Sequence, residues 1–519
     1  MIAKPQQESE NSCSMSDANL TCIILAAGKG TRLKSETAKV LHCAGGQPLV
    51  ERVVRACQPL SGDILVVVGH QAENVAAAVT SLGATTVLQR PQNGTGHAML
   101  IARNAIAPTA QIAILLPGDA PLIRTETLKS LLDTHVREQA AATILSAELE
   151  NPTGYGRIVR NRKGNVEAIV EEKSASDAER KIREVNSSMY CFTLEKLWPC
   201  LAEVRPENVH REIYLTDAIA QLTKRKERVA AVIAESAKEI LGCNTRGELA
   251  DADRILRARK TSELMDAGVT IYLPETVVVD AQVQVGPDTV IERGVQLLGN
   301  TVIGAHCRIQ AGSILSDAAL EDHILVRPYS VITGSRLSAG TIVGPFAHLR
   351  EGAELKAGAR VGNFVEVKKS TLGEGVKAMH LTYLGDATIG RESNIGAGTI
   401  TCNYDGVKKN PTTIGERVFV GSDSALVAPV SVGDGAYIAA GSTITDDIPA
   451  DSLAIARGRQ VNKAGWVAER RKKMLDASPI AANSEPAGKK NNSQSAAKRG
   501  ARQSTSKPRS RANRKARKR

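Results

Sequence analysis

The chain has 519 residues, more than one hydrophobic core usually serves, so two or more domains are expected. Aromatics make up only 3% against 43 glycines, which excludes a core built on large rings and points to repetitive packing of aliphatic side chains. The net charge of +12 misdescribes the body of the chain: 13 of the 67 Lys and Arg lie between Ala487 and Arg519, where Asp and Glu are absent, so the rest is close to neutral and offers no chain-wide nucleic-acid surface.

Residues 1–19 are polar, without the apolar stretch of a signal peptide, and read as a disordered leader; no apolar run is long enough to span a membrane. The nine cysteines form no C-x-x-C pair, and their odd number fits a reducing compartment, so a cytoplasmic location is expected. The first element is a buried strand over Leu20–Leu25, running into Ala26-Ala27-Gly28-Lys29-Gly30-Thr31-Arg32-Leu33, with Lys39 seven residues beyond Arg32. Glycines at a strand-to-loop transition let backbone N–H groups approach an anion, and Arg32 and Lys39 can neutralise it from the side. The Walker pattern is absent, and the dinucleotide pattern fails because Leu33 stands at the third glycine position. The stretch resembles instead the sugar nucleotidyltransferase signature Leu-x-x-Gly-x-Gly-Thr-Arg-Leu followed by a lysine.

From 20 to 245, strand-like runs (Ile64–Val68, Ile112–Leu116, Ala142–Leu145) alternate with helical patterns (Leu49–Ala56, Thr125–His135), which implies an α/β, Rossmann-like, mainly parallel sheet. Ligands of such sheets bind beyond the carboxyl ends of the strands. Gly118 and Asp119 fall there, Asp119 either as a Mg²⁺ ligand or as a cap of the next helix. Gln89 and the run Asn93-Gly94-Thr95-Gly96-His97 offer groups able to hydrogen-bond a nucleobase edge, with His97 read as structural. Residues 246–267 read as a connecting helix.

Beyond 268 the period changes. Val279, Val285, Ile291, Leu297, Ile303, Ile309 and Leu315 stand six apart, and the register returns at Val343–Val367, Ile389–Ile395 and Ile414–Ile444. Period six fits neither an α-helix nor an alternating strand; it marks a hexapeptide parallel β-helix of roughly nine coils, each aliphatic stacking on the one about eighteen residues on. The hand does not follow from the period. Register breaks at His380-Leu381-Thr382-Tyr383-Leu384-Gly385-Asp386 and at the insertion Thr401-Cys402-Asn403-Tyr404-Asp405-Gly406-Val407-Lys408-Lys409-Asn410, with Arg350 and Lys368 on preceding coils. A passive scaffold is the plain reading of such a repeat, and a hexapeptide carbonic anhydrase using His306, His323, His348 or His380 is a further one, unsupported by their spacing.

The glycine-rich signature joined to a β-helix carrying His-Leu-Thr-Tyr-Leu-Gly-Asp and Gly-Ala-Gly-Thr-Ile-Thr-Cys-Asn-Tyr-Asp-Gly resembles the family of bifunctional N-acetylglucosamine-1-phosphate uridylyltransferases and glucosamine-1-phosphate N-acetyltransferases over about 20–466. The resemblance implies a left-handed β-helix and a homotrimer. It also implies acetylation of glucosamine 1-phosphate by acetyl-CoA, then uridylyl transfer from UTP to N-acetylglucosamine 1-phosphate, yielding UDP-N-acetylglucosamine for cell-envelope synthesis. On this resemblance Leu25, Ala26, Ala27, Gly28, Arg32, Lys39, Gln89, Gly94, Thr95 and Gly118 meet UTP, and Asp119 with Asn244 holds Mg²⁺. Gly156, Glu171 and Asn186 meet the N-acetylglucosamine. His380 is the general base, with Glu366 orienting it. Arg350 and Lys368 hold the sugar phosphate, and Tyr383 and Asn394 the sugar. Ala397, Asn403, Tyr404, Ser422, Ala440 and Arg457 fall on the acetyl-CoA side. The chain departs from the pattern at Pro117, at Ser188 in place of a glycine, and at Met379. The tail from 467 is expected to be disordered, with non-specific contact to nucleic acid or an anionic surface as its sharper reading. A hexapeptide scaffold with a relict nucleotidyl domain and a working basic tail is the alternative of a different class.

Overall fold

The computed structural model describes residues 19–205 and 212–477. The N-terminal half is a nine-stranded sheet. In chain order its strands are β1 (Leu20–Ala26), β2 (Ile64–Val68), β3 (Thr85–Leu88), β4 (Ile112–Pro117), β5 (Ala142–Glu148), β6 (Arg157–Arg160), β7 (Val166–Val170), β8 (Glu184–Thr193) and β9 (Val229–Ile233). The order across the sheet is β9-β5-β8-β4-β1-β2-β3, with β6 and β7 off this path. β1 pairs in parallel with both β2 and β4, and all five residues of β2 are buried, as the continuous apolar runs require of a sheet covered on both faces. The sheet is more mixed than its pattern suggests: β8 enters antiparallel between β4 and β5. That strand shifts register between Asn186 and Met189, and Ser188 sits in the shift at φ 63°. The left-handed backbone explains why a glycine suits this position.

Helices α1 (Leu49–Cys57), α2 (Ala72–Thr80), α3 (Thr95–Ala102), α4 (Thr125–Arg137), α5 (Leu194–Glu203) and α6 (Leu215–Lys224) cover the sheet. The N-cap of α4 is Arg124, which rules out Asp119 as its cap. Helix α7 spans Arg246–Asp266 and begins with a capping box between Thr245 and Glu248.

The C-terminal half is three parallel sheets of 11, 10 and 9 short strands, the faces of a β-helix. The first face runs from Thr270–Ile271 to Leu453–Ala454, the second from Val278–Val279 to Thr443–Ile444, and the third from Gln284–Val285 to Val430–Val432. Each coil turns its aliphatic residues inward: Leu297, Leu315, Ile332, Leu349, Val367 and Leu384 are all 0% exposed on the second face. The irregular stretches of the sequence are shortened coils. Val278 pairs with Gln296, eighteen residues on, but Val302 pairs with Ala319 and Val331 with His348, seventeen on. One coil is long: Asn394 pairs with Phe419, the excess forming the loop that carries Asn403–Asn410. Dropping or adding residues at a turn leaves every inward aliphatic in place, so the ladder survives where the six-residue count fails.

The stretch from Gly458 is a second unit. In it Trp466–Asp476 form a helix, α8, with the Arg470 guanidinium 5.1 Å over the Trp466 ring. A disordered tail from 467 is therefore corrected for residues 467–476, where helix-forming Ala, Glu, Arg, Lys, Met and Leu run together. The leader up to residue 18 and the basic stretch from 478 lie outside the described residues. Among the described residues no helix is long and apolar enough to cross a membrane, and the eight described cysteines are free.

Candidate active sites

The first site forms where β1 and β4 end side by side, with Gly118 N–H donating to Leu25 C=O at 2.9 Å. Gly30 adopts φ 63°, and a Cβ there would lie 2.4 Å from Lys39 Cβ, so only glycine allows the loop to fold over the lysine stem. Lys39 Nζ donates to Asp119 Oδ2 and, at 3.1 Å, to Asn244 Oδ1, which also accepts from Arg32 at 2.7 Å. Cys243 N–H, next to Asn244, donates to Asp119 C=O at 2.9 Å. Four residues spread over 212 positions thus meet, and two uncharged or anionic oxygens converge on one ammonium. Such a pair of oxygen donors suits a hard divalent cation, which takes one or two protein oxygens and completes its shell with phosphate and water. Among the described residues no three His, Cys, Asp or Glu gather as a metal group.

Around this centre lie the remaining loops. Gln92 Nε2 donates to Ala27 C=O at 2.7 Å, holding the end of β1; the sequence reading did not single it out. Gln89 is buried, its Nε2 3.1 Å from both Gly94 C=O and His97 Nδ1, which leaves its own carbonyl free to accept from a base edge. Thr95 is engaged through Oγ1 by Leu215 N–H. Gly156 C=O accepts from Asn186 N–H at 2.8 Å, and the Glu171 carboxylate lies against Gly156. Burial raises the Glu171 pKa, and neighbouring Asp217 raises it further. Asn186 Nδ2 donates to the buried Tyr190 hydroxyl at 2.8 Å.

In the β-helix the candidates separate into two groups. One runs along the turn that ends the first face. Asn363 and His380 are register partners, and Asp423 N–H donates to Ala397 C=O at 2.7 Å, Gly441 N–H to Ser422 C=O at 2.8 Å, and Arg457 to Ala440 C=O at 2.7 Å. His380, Ala397, Ser422, Ala440 and Arg457 therefore occupy the same turn of successive coils. His380 Nδ1 lies 2.9 Å from Asn363 Oδ1; with Nδ1–H donating to that oxygen, Nε2 keeps its lone pair. Glu366 does not orient the imidazole. Its carboxylate accepts from Arg350 at 2.8 Å, so the orienting group is Asn363, one coil below His380.

The other group is on the second face and the following turn. Glu366 pairs in register with Tyr383, and Lys368 with Gly385. A Cβ at Gly385 would lie 2.4 Å from Tyr383 Oη and 2.7 Å from Asn403 Nδ2, so glycine is needed for the tyrosine to lie flat here. Asn403 Nδ2 donates to Asp386 Oδ2 at 2.5 Å, with Tyr383 Oη at 3.5 Å. Asn403 thus belongs with the polar group around Tyr383 rather than with the turn of Ser422. Lys409, delivered by the insertion, stands within hydrogen-bond reach of Lys368, and that contact and its charge lower the Lys368 pKa, with desolvation and the charge of Arg350 adding to the effect. The insertion owes its shape to Asp405, whose carboxylate accepts from Val407 N–H and Lys408 N–H at 2.8 Å and from Asn410 at 2.9 Å. These bonds hold the Asp405 carboxyl at about 2. Tyr404, 60% exposed, is bonded through its hydroxyl to Gly406 C=O. Asn394 is on the first face, in register with Lys377 and Phe419, whereas Tyr383 is on the second. His306 and His323 stack on each other at 5.0 Å and His348 is on the second face, so the four histidines do not converge.

Residues 22–187 match the MobA-like NTP transferase domain, residues 282–317 the bacterial transferase hexapeptide (six repeats) and residues 411–446 the hexapeptide repeat of succinyl-transferase. The hexapeptide match carries the left-handed winding of the β-helix, an exception to right-handed crossovers. A relative from Koribacter versatilis named bifunctional protein GlmU is 48% identical over 86% of this chain and 96% of its own length. Relatives of the same name from Pelobacter propionicus (47%, 88% and 99%) and a Nostoc species (48%, 85% and 97%) are similar to the same degree. With both transferase domains in one chain and near-complete coverage of these relatives, the protein belongs to the GlmU family of bifunctional transferases.

Proposed function

We propose that the β-helix transfers acetyl from acetyl-CoA to the amine of glucosamine 1-phosphate, and that the N-terminal half then joins the product to UMP from UTP, releasing pyrophosphate. The observation that carries this reading is the pairing of two separate polar constellations, each of the composition its reaction needs, in a chain whose hexapeptide coils otherwise require only aliphatics and small residues.

For acetyl transfer, His380 Nε2 takes a proton from the sugar amine as the nitrogen attacks the thioester carbonyl. The C–N bond forms, the C–S bond breaks, and the coenzyme thiolate leaves. Arg350, Lys368 and Lys409 bind the sugar phosphate, and Tyr383 and Asn403 the sugar. The turn of Ala397, Ser422, Ala440 and Arg457 receives the coenzyme, with backbone N–H groups near Ser422 facing the developing oxyanion. Asn394 and Tyr383 lie on different faces of one β-helix, and a sugar seated between neighbouring copies would meet both, which accords with the homotrimer that the family resemblance implies.

For uridylyl transfer, the attacking oxygen belongs to an already ionised phosphate, so no base is needed and positioning with charge neutralisation suffices. The O–P bond to the UTP α-phosphorus forms as the bond to pyrophosphate breaks. Arg32 and Lys39 neutralise the phosphates, Gln89 with Gly94 and Thr95 reads uracil, and Gly156, Glu171 and Asn186 seat the N-acetylglucosamine. Asp119 and Asn244 are the residues that would hold Mg²⁺, which supplies charge neutralisation at the phosphates when bound. The substrates support a cytoplasmic location. Attachment of the Ala487–Arg519 stretch to nucleic acid or anionic surfaces is an accessory reading resting on charge alone. The scaffold alternative is disfavoured, because a scaffold needs neither group of polar residues.

The test is a pair of variants assayed for each half-reaction. His380→Ala is expected to lower acetyl transfer at least a hundredfold with uridylyl transfer intact, and Lys39→Ala to do the reverse. A folded variant at either site that loses both activities would contradict the assignment.

A further inference from the structure

Arginines that are partly buried normally face carboxylates, because the desolvated guanidinium otherwise lacks partners for its five donors. Two arginines of this chain break that habit at one place. Arg52 of α1 and Arg259 of α7 each lack an ion pair among the described residues. Arg52 donates to the neutral Gln47 side chain at 3.2 Å, and its Nε is buried without a partner. Arg259 donates to Leu122 C=O at 2.7 Å. Both flank a cavity of about 110 Å³, together with Gly45, Lys260, Glu263 and Ala281. Lys260 is 13% exposed at its side chain and bonds Glu263 at 2.7 Å, while Glu263 is 66% exposed. Burial lowers the Arg52 pKa, and the like charge of Arg259 lowers it further. Among the residues that line the hollow three are cations and one, the solvent-facing Glu263 already held by Lys260, is an acid, so positive charge exceeds negative charge there.

We infer that this cavity is a binding site for a small tetrahedral oxyanion of the inorganic phosphate class, held by Arg52, Arg259 and Lys260. The ligand class follows from charge, donor geometry and size. Guanidinium forks match the oxygens of a tetrahedral oxyanion in pairs. The hollow admits one such ion with a water molecule or two, each taking about 30 Å³, but not a nucleotide. The site draws on three parts of the chain, Gly45 and Arg52 from the N-terminal half, α7, and Ala281 of the first coil, so a bound anion ties the two halves together. It is separate from the residues assigned to UTP.

The experiment is titration of the full-length protein with inorganic phosphate at constant ionic strength, followed by calorimetry and by the melting temperature. Saturable binding with a rise in melting temperature is expected in the wild type and in Lys39→Ala, which lacks the phosphate-binding lysine of the uridylyl site. Arg52→Met is expected to weaken binding at least tenfold. Lys260→Met serves the same purpose should Arg52→Met not fold. Sulfate is expected to compete and chloride not to. Absence of saturable binding in the wild type would overturn the inference, as would loss of binding in Lys39→Ala with retention in folded Arg52→Met or Lys260→Met. The Lys39→Ala arm keeps a failure here distinct from a failure of the uridylyl assignment.

Discussion

His380 shows how much one neighbour decides. Its partner Asn363 lies seventeen residues back, the length of one shortened coil, so the two meet only because a residue is missing from the turn between them. Asn363→Ala removes the acceptor that selects the Nδ1–H tautomer, and a drop in kcat of ten- to a hundredfold with little change in KM is expected; a changed KM with unchanged kcat would indicate a binding role instead. His135 makes a pH prediction. Buried between the Thr143 and Thr193 hydroxyls at 3.0 Å, it has a pKa pushed down to about 4 by desolvation. The unfolded chain takes up that proton near 6.5, so stability is lost as pH falls from about 6.5 to 4, by up to about 3 kcal/mol. Denaturant titrations of His135→Gln are expected to show a shallower loss over this window. At this scale His380, Arg350, Lys368 and Tyr383 were legible as chemistry out of place in an aliphatic repeat. Asp386 and Lys409 were legible only as members of the segments that break register, and Asn363 not at all, since it is an ordinary surface residue until the coils stack.

At the scale of elements, the insertion after Cys402 is the informative one. Its coil advances 25 residues where its predecessor, pairing Lys377 with Asn394, advances 17. The surplus supplies Asn403 and Lys409 to the polar group at Tyr383, with Asp405 holding its tip. Deleting Asn403–Asn410 returns the coil to the shorter advance. Circular dichroism should then report a folded protein melting within a few degrees of the wild type, with acetyl transfer lost and uridylyl transfer retained. A protein that unfolds on this deletion would make the insertion part of the scaffold. Elsewhere the hexapeptide period placed strands directly, because an inward aliphatic at every sixth residue is a local requirement. It could not announce the seventeen-residue coils, where the requirement is satisfied by a tighter turn. The antiparallel entry of β8 was likewise hidden, since a strand buried on both faces reads the same in either direction.

For the whole molecule, the junction of the halves includes a polar group at the first coil. Asp280, 8% exposed, accepts from Arg257 at 2.8 Å and from Gly299 N–H at 2.9 Å, while Ala281 N–H donates to Gly45 C=O at 3.1 Å. Asp280→Ala removes one of the two carboxylates on the Arg257 guanidinium, which keeps Asp253, and leaves the Gly299 N–H without its acceptor, at a cost of about 2 kcal/mol. Scanning calorimetry should show an earlier first transition, with both activities preserved at 25 °C; an unchanged thermogram would show that the junction does not limit stability. The sequence by itself determined the two fold classes, the order of the domains and the glycine-rich and histidine-bearing segments, because strand period, turn glycines and apolar ladders are conditions a chain meets locally. Only the tertiary structure decided which of those residues touch. Lys39 meets Asp119 and Asn244 across 205 positions of chain, Glu366 takes Arg350 rather than His380, and Arg52 and Arg259 flank one hollow without an ion pair of their own, since each of these contacts depends on how sheet, helix and coil pack.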